Sequence, residues 1–123
     1  MQGDRRALGA EGEVRAAAYL AQRGYRIVAR NVRAGGVEID LIASRGGLIA
    51  FVEVKTRRSA LLGPPELAVD EAKCARLVRG AGAWLRENPG RARRVRFDVV
   101  ACEVSPRGDW RLRHLPAAFD AGC

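Results

Sequence analysis

The sequence predicts an α/β fold, a mixed central sheet with helices packed on it, in the order α-β-β-β-α-β-β. Two observations lead to it. Two stretches carry apolar residues three and four apart between residues that start and stop helices. Five shorter runs rich in Val, Ile and Phe lie between Gly-, Pro- and Asp-containing turns. Helices interleaved with strands in this way give an α/β sandwich. At 123 residues the chain is read as one domain over 1–123, with 1–4 and 117–123 expected to be flexible ends.

The first helix is expected from Asp4, as N-cap, to about Gln22, with Gly24 as its stop. Its apolar stripe reads Gly9, Glu13, Ala16, Ala17, Leu20. Glu13 is the anomaly, an acid on the face that should meet the core. Strands follow at Tyr25–Asn31, Val37–Ala43 and Leu48–Thr56, with a polar turn over Arg33–Gly36 and a tight one at Gly46-Gly47. A loop passes through Pro64-Pro65. The second helix runs from Asp70, its N-cap, to Glu87, burying Leu77, Val78, Ala81, Trp84 and Leu85, and Asn88-Pro89-Gly90 ends it. A long strand covers Arg94–Val104, and a short one the segment Trp110–Leu115.

Hydrophobic content of 48% and charged content of 29% are those of an ordinary globular protein. The first residues hold no apolar run of signal-peptide length, and no segment approaches a membrane span. Cys74, Cys102 and Cys123 are widely spaced, so they are read as reduced thiols of a cytoplasmic protein, with neither disulfides nor zinc. Basic residues outnumber acidic ones 22 to 14, a net charge of +8, which points to an acidic partner such as nucleic acid or to a plain arginine bias. Only Lys55 and Lys73 among those 22 are lysine. A lysine inside a strand, in a chain that otherwise uses arginine, marks a place needing a compact charge with a tunable pKa.

That lysine belongs to "AFVEVKT" (50–56), an apolar strand that nonetheless carries Glu53 and Lys55 on one face. With Gly46-Gly47 as the hairpin loop, Arg45 pairs with Leu48, Asp40 falls opposite Glu53, and Glu38 falls opposite Lys55. Directly opposed carboxylates repel, and a divalent cation between them would turn repulsion into ligation. The alternative is an ordinary Glu38–Lys55 ion pair on a wet face with Asp40 and Glu53 solvated. Against it, the same face carries Ile42, Ile49 and Phe51. Glu13 is either a third inward acid or a partly exposed residue near a frayed helix start.

The segments "GAEGEVRAAAYLAQRGY", "VEIDLIA", "FVEVKTRRSA", "AVDEAKCARL" and "RFDVV" occur in this order from about Gly9 to Val100. Together they resemble the YraN-like family of predicted bacterial endonucleases, similar in core to archaeal Holliday-junction resolvases and to the PD-(D/E)xK nucleases. Two departures stand out: Val37 replaces the Gly usual before "EIDLIA", and Ile39 stands where the superfamily motif has Pro. The resemblance implies a restriction-endonuclease-like core and a metal-dependent, structure-selective DNA endonuclease. It makes Asp40 and Glu53 ligands of Mg2+ or Mn2+, Glu13 the helix-borne acid completing that metal site, and Lys55 the motif lysine that orients or deprotonates the attacking water. It also implies branched DNA as substrate and a symmetric homodimer. Arg57, Arg58, Arg91, Arg93, Arg94 and Arg96 read as a phosphate track around the site or, each alone, as a solvated basic surface, and Lys73 matches the family's helix lysine, aimed at the site or simply exposed. Asp98 and His114 read as structural, Trp84 as core, and Trp110 as core or stacking surface. Two other readings stay open: a DNA-binding module of the same fold with little catalysis, and a basic scaffold protein in a DNA-processing assembly.

Overall fold

The computed structural model describes residues 2–58 and 71–122. Pro64, Pro65, Asp70 and Cys123 lie outside them. The elements are α1 (Gln2–Gln22), β1 (Arg26–Ala34), β2 (Val37–Arg45), β3 (Leu48–Arg58), α2 (Glu71–Glu87), β4 (Arg94–Val104) and β5 (Trp110–Phe119). They form one five-stranded sheet in the spatial order β1-β2-β3-β4-β5. β3 and β4 are parallel and the other neighbours antiparallel, so the sheet is mixed. The parallel pair needs a crossover, and α2 lies within it. Among the described residues no helix is long and apolar enough to cross a membrane.

The helices cover opposite faces. Even-numbered residues of β3 (Leu48, Ala50, Val52) pack with Ala16, Ala17 and Leu20 of α1, while Ile49 and Phe51 pack with Ala81 and Trp84 of α2. On the α2 side Trp84 meets Phe51 edge-on at 5.8 Å, and Phe97 stacks on both Phe51 and Phe119. Trp110 packs against the α1-side core, with the Arg15 guanidinium 4.6 Å from its ring.

Several local features differ from the expected ones. α1 begins at Gln2, so Asp4 lies inside its first turn, where a carboxylate still complements the helix dipole, and does not cap it. The helix ends as expected, with Gly24 at φ 91° and Tyr25 N–H donating to Leu20 O at 3.1 Å. β1 runs on to Ala34, because Gly35 and Gly36, both at positive φ, suffice for the turn. β5 passes Pro116 and ends at Phe119, held by the Phe97 stack, so 117–119, expected to belong to a flexible end, are part of a strand. Cys102 is a free buried thiol as expected, but Cys74, also buried, is disulfide-bonded. Spacing along a sequence does not report distance in the fold.

The inward face of α1 is also shifted. Gly12 is buried and Gly9 only partly so. A Cβ on Gly12 would lie 1.9 Å from Thr56 Oγ1, so this glycine is what lets α1 lie directly on β3. The buried line is Gly12, Ala16, Leu20, and Glu13 sits at its edge.

Candidate functional site

The β2–β3 hairpin has the expected register from Arg45↔Leu48 to Leu41↔Val52. There the recorded pairing stops, one step short of Asp40 and Glu53. The expected ladder pairs Asp40↔Glu53 and Glu38↔Lys55 are not among those formed. Val54 N–H donates instead to the Asp40 side chain, Oδ2, at 2.9 Å. A carboxylate thus fills the place of a ladder partner, and the two strands part around it.

The β1–β2 register shifts between Ile27 and Ala29 and then holds, but with a gap at the level of the fork. Arg30↔Leu41 and Val32↔Ile39 pair, but Asn31 and Asp40 between them do not. Asn31 has φ 48°, the left-handed region that Asn tolerates better than most residues. Ala29 and Val32, like Ile42 and Ile39, all pack on the α2 side although each pair is three residues apart. Regular strands alternate faces, so the alternation slips at Asn31 and Asp40.

Acids from both faces gather at this fork. Glu13, from α1, shares side-chain hydrogen bonds with Asn31 and Asp40. One carboxyl group donates to another only while one of the two carries a proton. Burial raises the Glu13 pKa, and the charges of Glu38 and Glu53 add to the rise. Burial also lifts Asp40, to about 7, with the Glu53 and Glu13 charges adding and the Val54 N–H and Lys73 opposing. Glu53 is 7% exposed and ion-paired with Lys73 Nζ of α2 at 2.5 Å. An open cavity of about 220 Å3 on the α2 side exposes Glu38, Asp40, Glu53 and Lys73, with Gly36 and Leu77 on its walls.

The structure therefore brings together Glu13, Asp40 and Glu53, and turns Lys73 towards them. Lys55, half-buried, follows Glu53 on the same face of β3 by the strand's alternation but does not line that cavity. Arg57 and Arg58 continue β3 past the site and line, with Asp4, Arg5 and Leu8, a separate cavity of about 440 Å3. The expected track through Arg94 and Arg96 does not adjoin the site. Parallel pairing sets Arg94 beside Leu48, five residues and therefore roughly 17 Å from Glu53 along the strand. Arg96 donates to both Asp98 oxygens, at 2.8 and 2.7 Å, and to Tyr25 Oη at 2.7 Å.

That contact belongs to a structural network. Asp98, 1% exposed, also accepts from Ala117 N–H at 3.0 Å and from His114 Nε2 at 2.8 Å. Burial alone would raise its pKa, but the hydrogen bonds from His114, Arg96 and Ala117 outweigh it and hold the carboxyl below its ordinary value. Asp98 and His114 therefore read as the structural residues they were expected to be.

The donor set at the fork consists of carboxylate oxygens, which suits a hard divalent cation. Among the described residues no group of three or more His, Cys, Asp or Glu side chains is gathered as a metal cluster. Mg2+ does not require one: it is held by one or two carboxylates with water and phosphate completing the shell. Asp40 and Glu53, repelling each other beside an open cavity, meet that requirement. Sequence reasoning missed Gly12 and Asn31. A glycine beside the anomalous Glu13, and an Asn inside a β-rich run, were the available signals.

The fold and site define an α/β protein with a mixed sheet and an acid-floored cleft where its antiparallel strands part. The chain belongs to the family described as "Uncharacterised protein family UPF0102", the YraN-like family, whose model matches residues 12–102. That span runs from Gly12 on α1 into β4. UPF0102 proteins of Symbiobacterium thermophilum (48% identical, covering 94% of this chain and 98% of that one), Trichlorobacter lovleyi (46%, 93% and 91%) and Nocardia farcinica (46%, 95% and 92%) are similar over nearly the whole length.

Proposed function

We propose that this chain is a metal-dependent DNA endonuclease with a PD-(D/E)xK-type core, acting in the cytoplasm on branched DNA of the Holliday-junction kind. The observation that carries the reading is the partly buried Asp40 carboxyl, set between Glu13 and Glu53 and open to a cavity. A pure binding surface has no use for crowded acids, whose mutual repulsion weakens the fold. Asp40 and Glu53 would hold Mg2+ or Mn2+, with Glu13 completing the site through its bond to Asp40. When bound, the ion supplies charge stabilisation at the phosphate and a more acidic water.

The remaining roles fall to side chains. Asp40, fixed by Val54 N–H, presents one carboxylate from the fork. Glu53 presents the second, held at its angle by Lys73. Glu13, through its hydrogen bonds to Asp40 and Asn31, holds the Asp40 carboxyl in place from the α1 side and completes the acid set. Lys55 orients the attacking water or takes its proton. A homodimer would let two such sites cut a four-way junction on both strands.

The Lys73–Glu53 pair favours a second reading, a DNA-binding module whose acid is already neutralised by a lysine. One experiment separates them: purified protein is incubated with linear, flapped and four-way-junction DNAs, with and without Mg2+ or Mn2+. Metal-dependent cutting of a branched substrate, abolished by Asp40→Asn and by Lys55→Ala while binding persists, supports the nuclease. Equal cutting by wild type and both variants would remove the site assignment, and binding without cutting under either metal would favour the module.

A further inference from the structure

The cavity above the acids has a basic rim. Arg33, near the end of β1, and Arg76, in the second turn of α2, line it together with Lys73. Both arginines are exposed. They come from elements far apart in sequence, and two glycine contacts set how those elements meet. A Cβ on Gly80 would lie 3.1 Å from Val37 Cβ and 3.4 Å from Ala34 O, and one on Gly35 would lie 3.1 Å from Ala83 Cβ. α2 is therefore pressed against the β1–β2 turn with little room for adjustment. Arg33 immediately precedes Ala34 in that contact. Arg76 lies one helical turn before Gly80, on the same face of α2. The tight contact sets the spacing of the two elements that carry these arginines, and both arginines line the one cavity between them. Arg33 Nη1 donates to Gly36 O at 3.3 Å, which ties its side chain back across the turn and leaves the rest of the guanidinium fork for a ligand.

Charge gives this rim a purpose. Glu38, Asp40 and Glu53 line the same cavity and would repel a polyanion approaching them. Guanidinium groups match phosphate oxygens in geometry as well as charge.

We propose that Arg33 and Arg76 form a clamp for a backbone phosphate of a DNA strand, drawing that strand across the mouth of the acid-floored cavity. This rests on the nuclease reading, since it takes DNA as the substrate of that cavity. It also assigns the contact to β1 and α2, away from Arg94 and Arg96. Such a contact positions the strand without reading its sequence.

The test measures equilibrium binding of a fluorescent four-way junction in metal-free buffer, over a salt series, for wild type, Arg33→Gln, Arg76→Gln, the double variant and Arg107→Gln. Arg107, in the β4–β5 turn, serves as a surface control. Each clamp variant is expected to weaken binding about five- to tenfold and to lower the slope of log affinity against log salt by about 0.9, with the double variant losing about twice that slope. Arg107→Gln should keep the wild-type slope, and thermal melts should show all variants folded. A wild type that binds with a salt-dependent affinity which neither clamp variant alters overturns the clamp and leaves the nuclease reading standing. A wild type with no salt-dependent DNA binding also overturns the clamp, and the nuclease reading then stands or falls separately on metal-dependent cutting of the same junction.

Discussion

Replacing Asp40 by Asn should stabilise the metal-free protein above neutral pH while removing its proposed activity. The Asp40 pKa rises from 3.8 to about 7, chiefly through burial, with Glu53 and Glu13 adding to it. The folded chain therefore keeps a proton that the unfolded chain releases between these values. With the native state binding more protons, stability falls as pH climbs from about 4 to about 8. At about 1.36 kcal/mol per pH unit the gap corresponds to roughly 4 kcal/mol. Glu13 shares the proton, so part of that belongs to the pair, and a gain of about 1–3 kcal/mol at pH 8 is expected for Asn. Asn keeps an acceptor for Val54 N–H and offers a donor to Glu13 or Glu53. The assay is urea unfolding in EDTA at pH 5.5 and 8.0. Wild type should lose stability between the two, and Asn should lose much less. Adding Mg2+ at pH 8 should raise the wild-type midpoint and leave the Asn midpoint in place. Equal midpoints for both proteins at pH 8 in EDTA would refute the account of repelling acids.

Two further outcomes follow from packing and from the structural network. Gly12→Ala gains about 1 kcal/mol of helix propensity but drives a Cβ to 1.9 Å from Thr56 Oγ1, so a net loss of about 1–2 kcal/mol is expected, partly recovered by adding Thr56→Ala. Because Glu13 is the next residue, DNA cleavage should fall with the single change, and denaturant midpoints alongside cleavage rates check both. Asp98→Ala leaves Arg96 and His114 without their buried acceptor and should cost about 3–5 kcal/mol at pH 7 in urea unfolding. Since the Asp98 pKa is held below 3.8, its contribution is present at neutral pH and is lost as pH falls through the folded value. Acid titration by circular dichroism should show this loss in wild type and not in the variant.

The sequence carried the local geometry well and the long-range geometry poorly. Gly46-Gly47 fixed the hairpin register, because a two-residue loop leaves few alternatives, and five pairs follow it from Arg45↔Leu48 onward. Extending that register to Asp40 and Glu53 failed because a side chain, not a backbone carbonyl, takes the Val54 N–H. No alternation rule foresees a carboxylate entering a ladder. The stripe expected for α1 passes through Gly9, whereas Gly12 is the buried residue. Glycine carries no hydropathy, so periodicity cannot say which glycine a neighbour presses on. Arg94 and Arg96 are basic and lie beside or within the segment "RFDVV", which is all that associates them with the site in the sequence. The parallel register that carries Arg94 to the far end of β3 depends on a crossover, whose geometry leaves no trace in the two strands' sequences.

The slip at Asn31 and Asp40 links these observations. A regular β2 would send Asp40 wholly to the α2 side, away from α1, and Glu13 could not share a proton with it. The left-handed Asn31 and the interrupted pairing place Asp40 at the parting of the strands, where it meets Glu13 from one helix and Glu53, paired with Lys73, from the other side. Irregular backbone costs stability, and strained residues of this kind persist where surrounding structure holds them, often at sites of function. Gly12 brings α1 down onto β3, and Gly80 brings α2 down onto the β1–β2 turn. Both helices are thereby tightened against the same fork. Each departure from regularity in this part of the fold acts on the distance between an acid and its neighbours, which is the quantity that ion binding and proton sharing depend on.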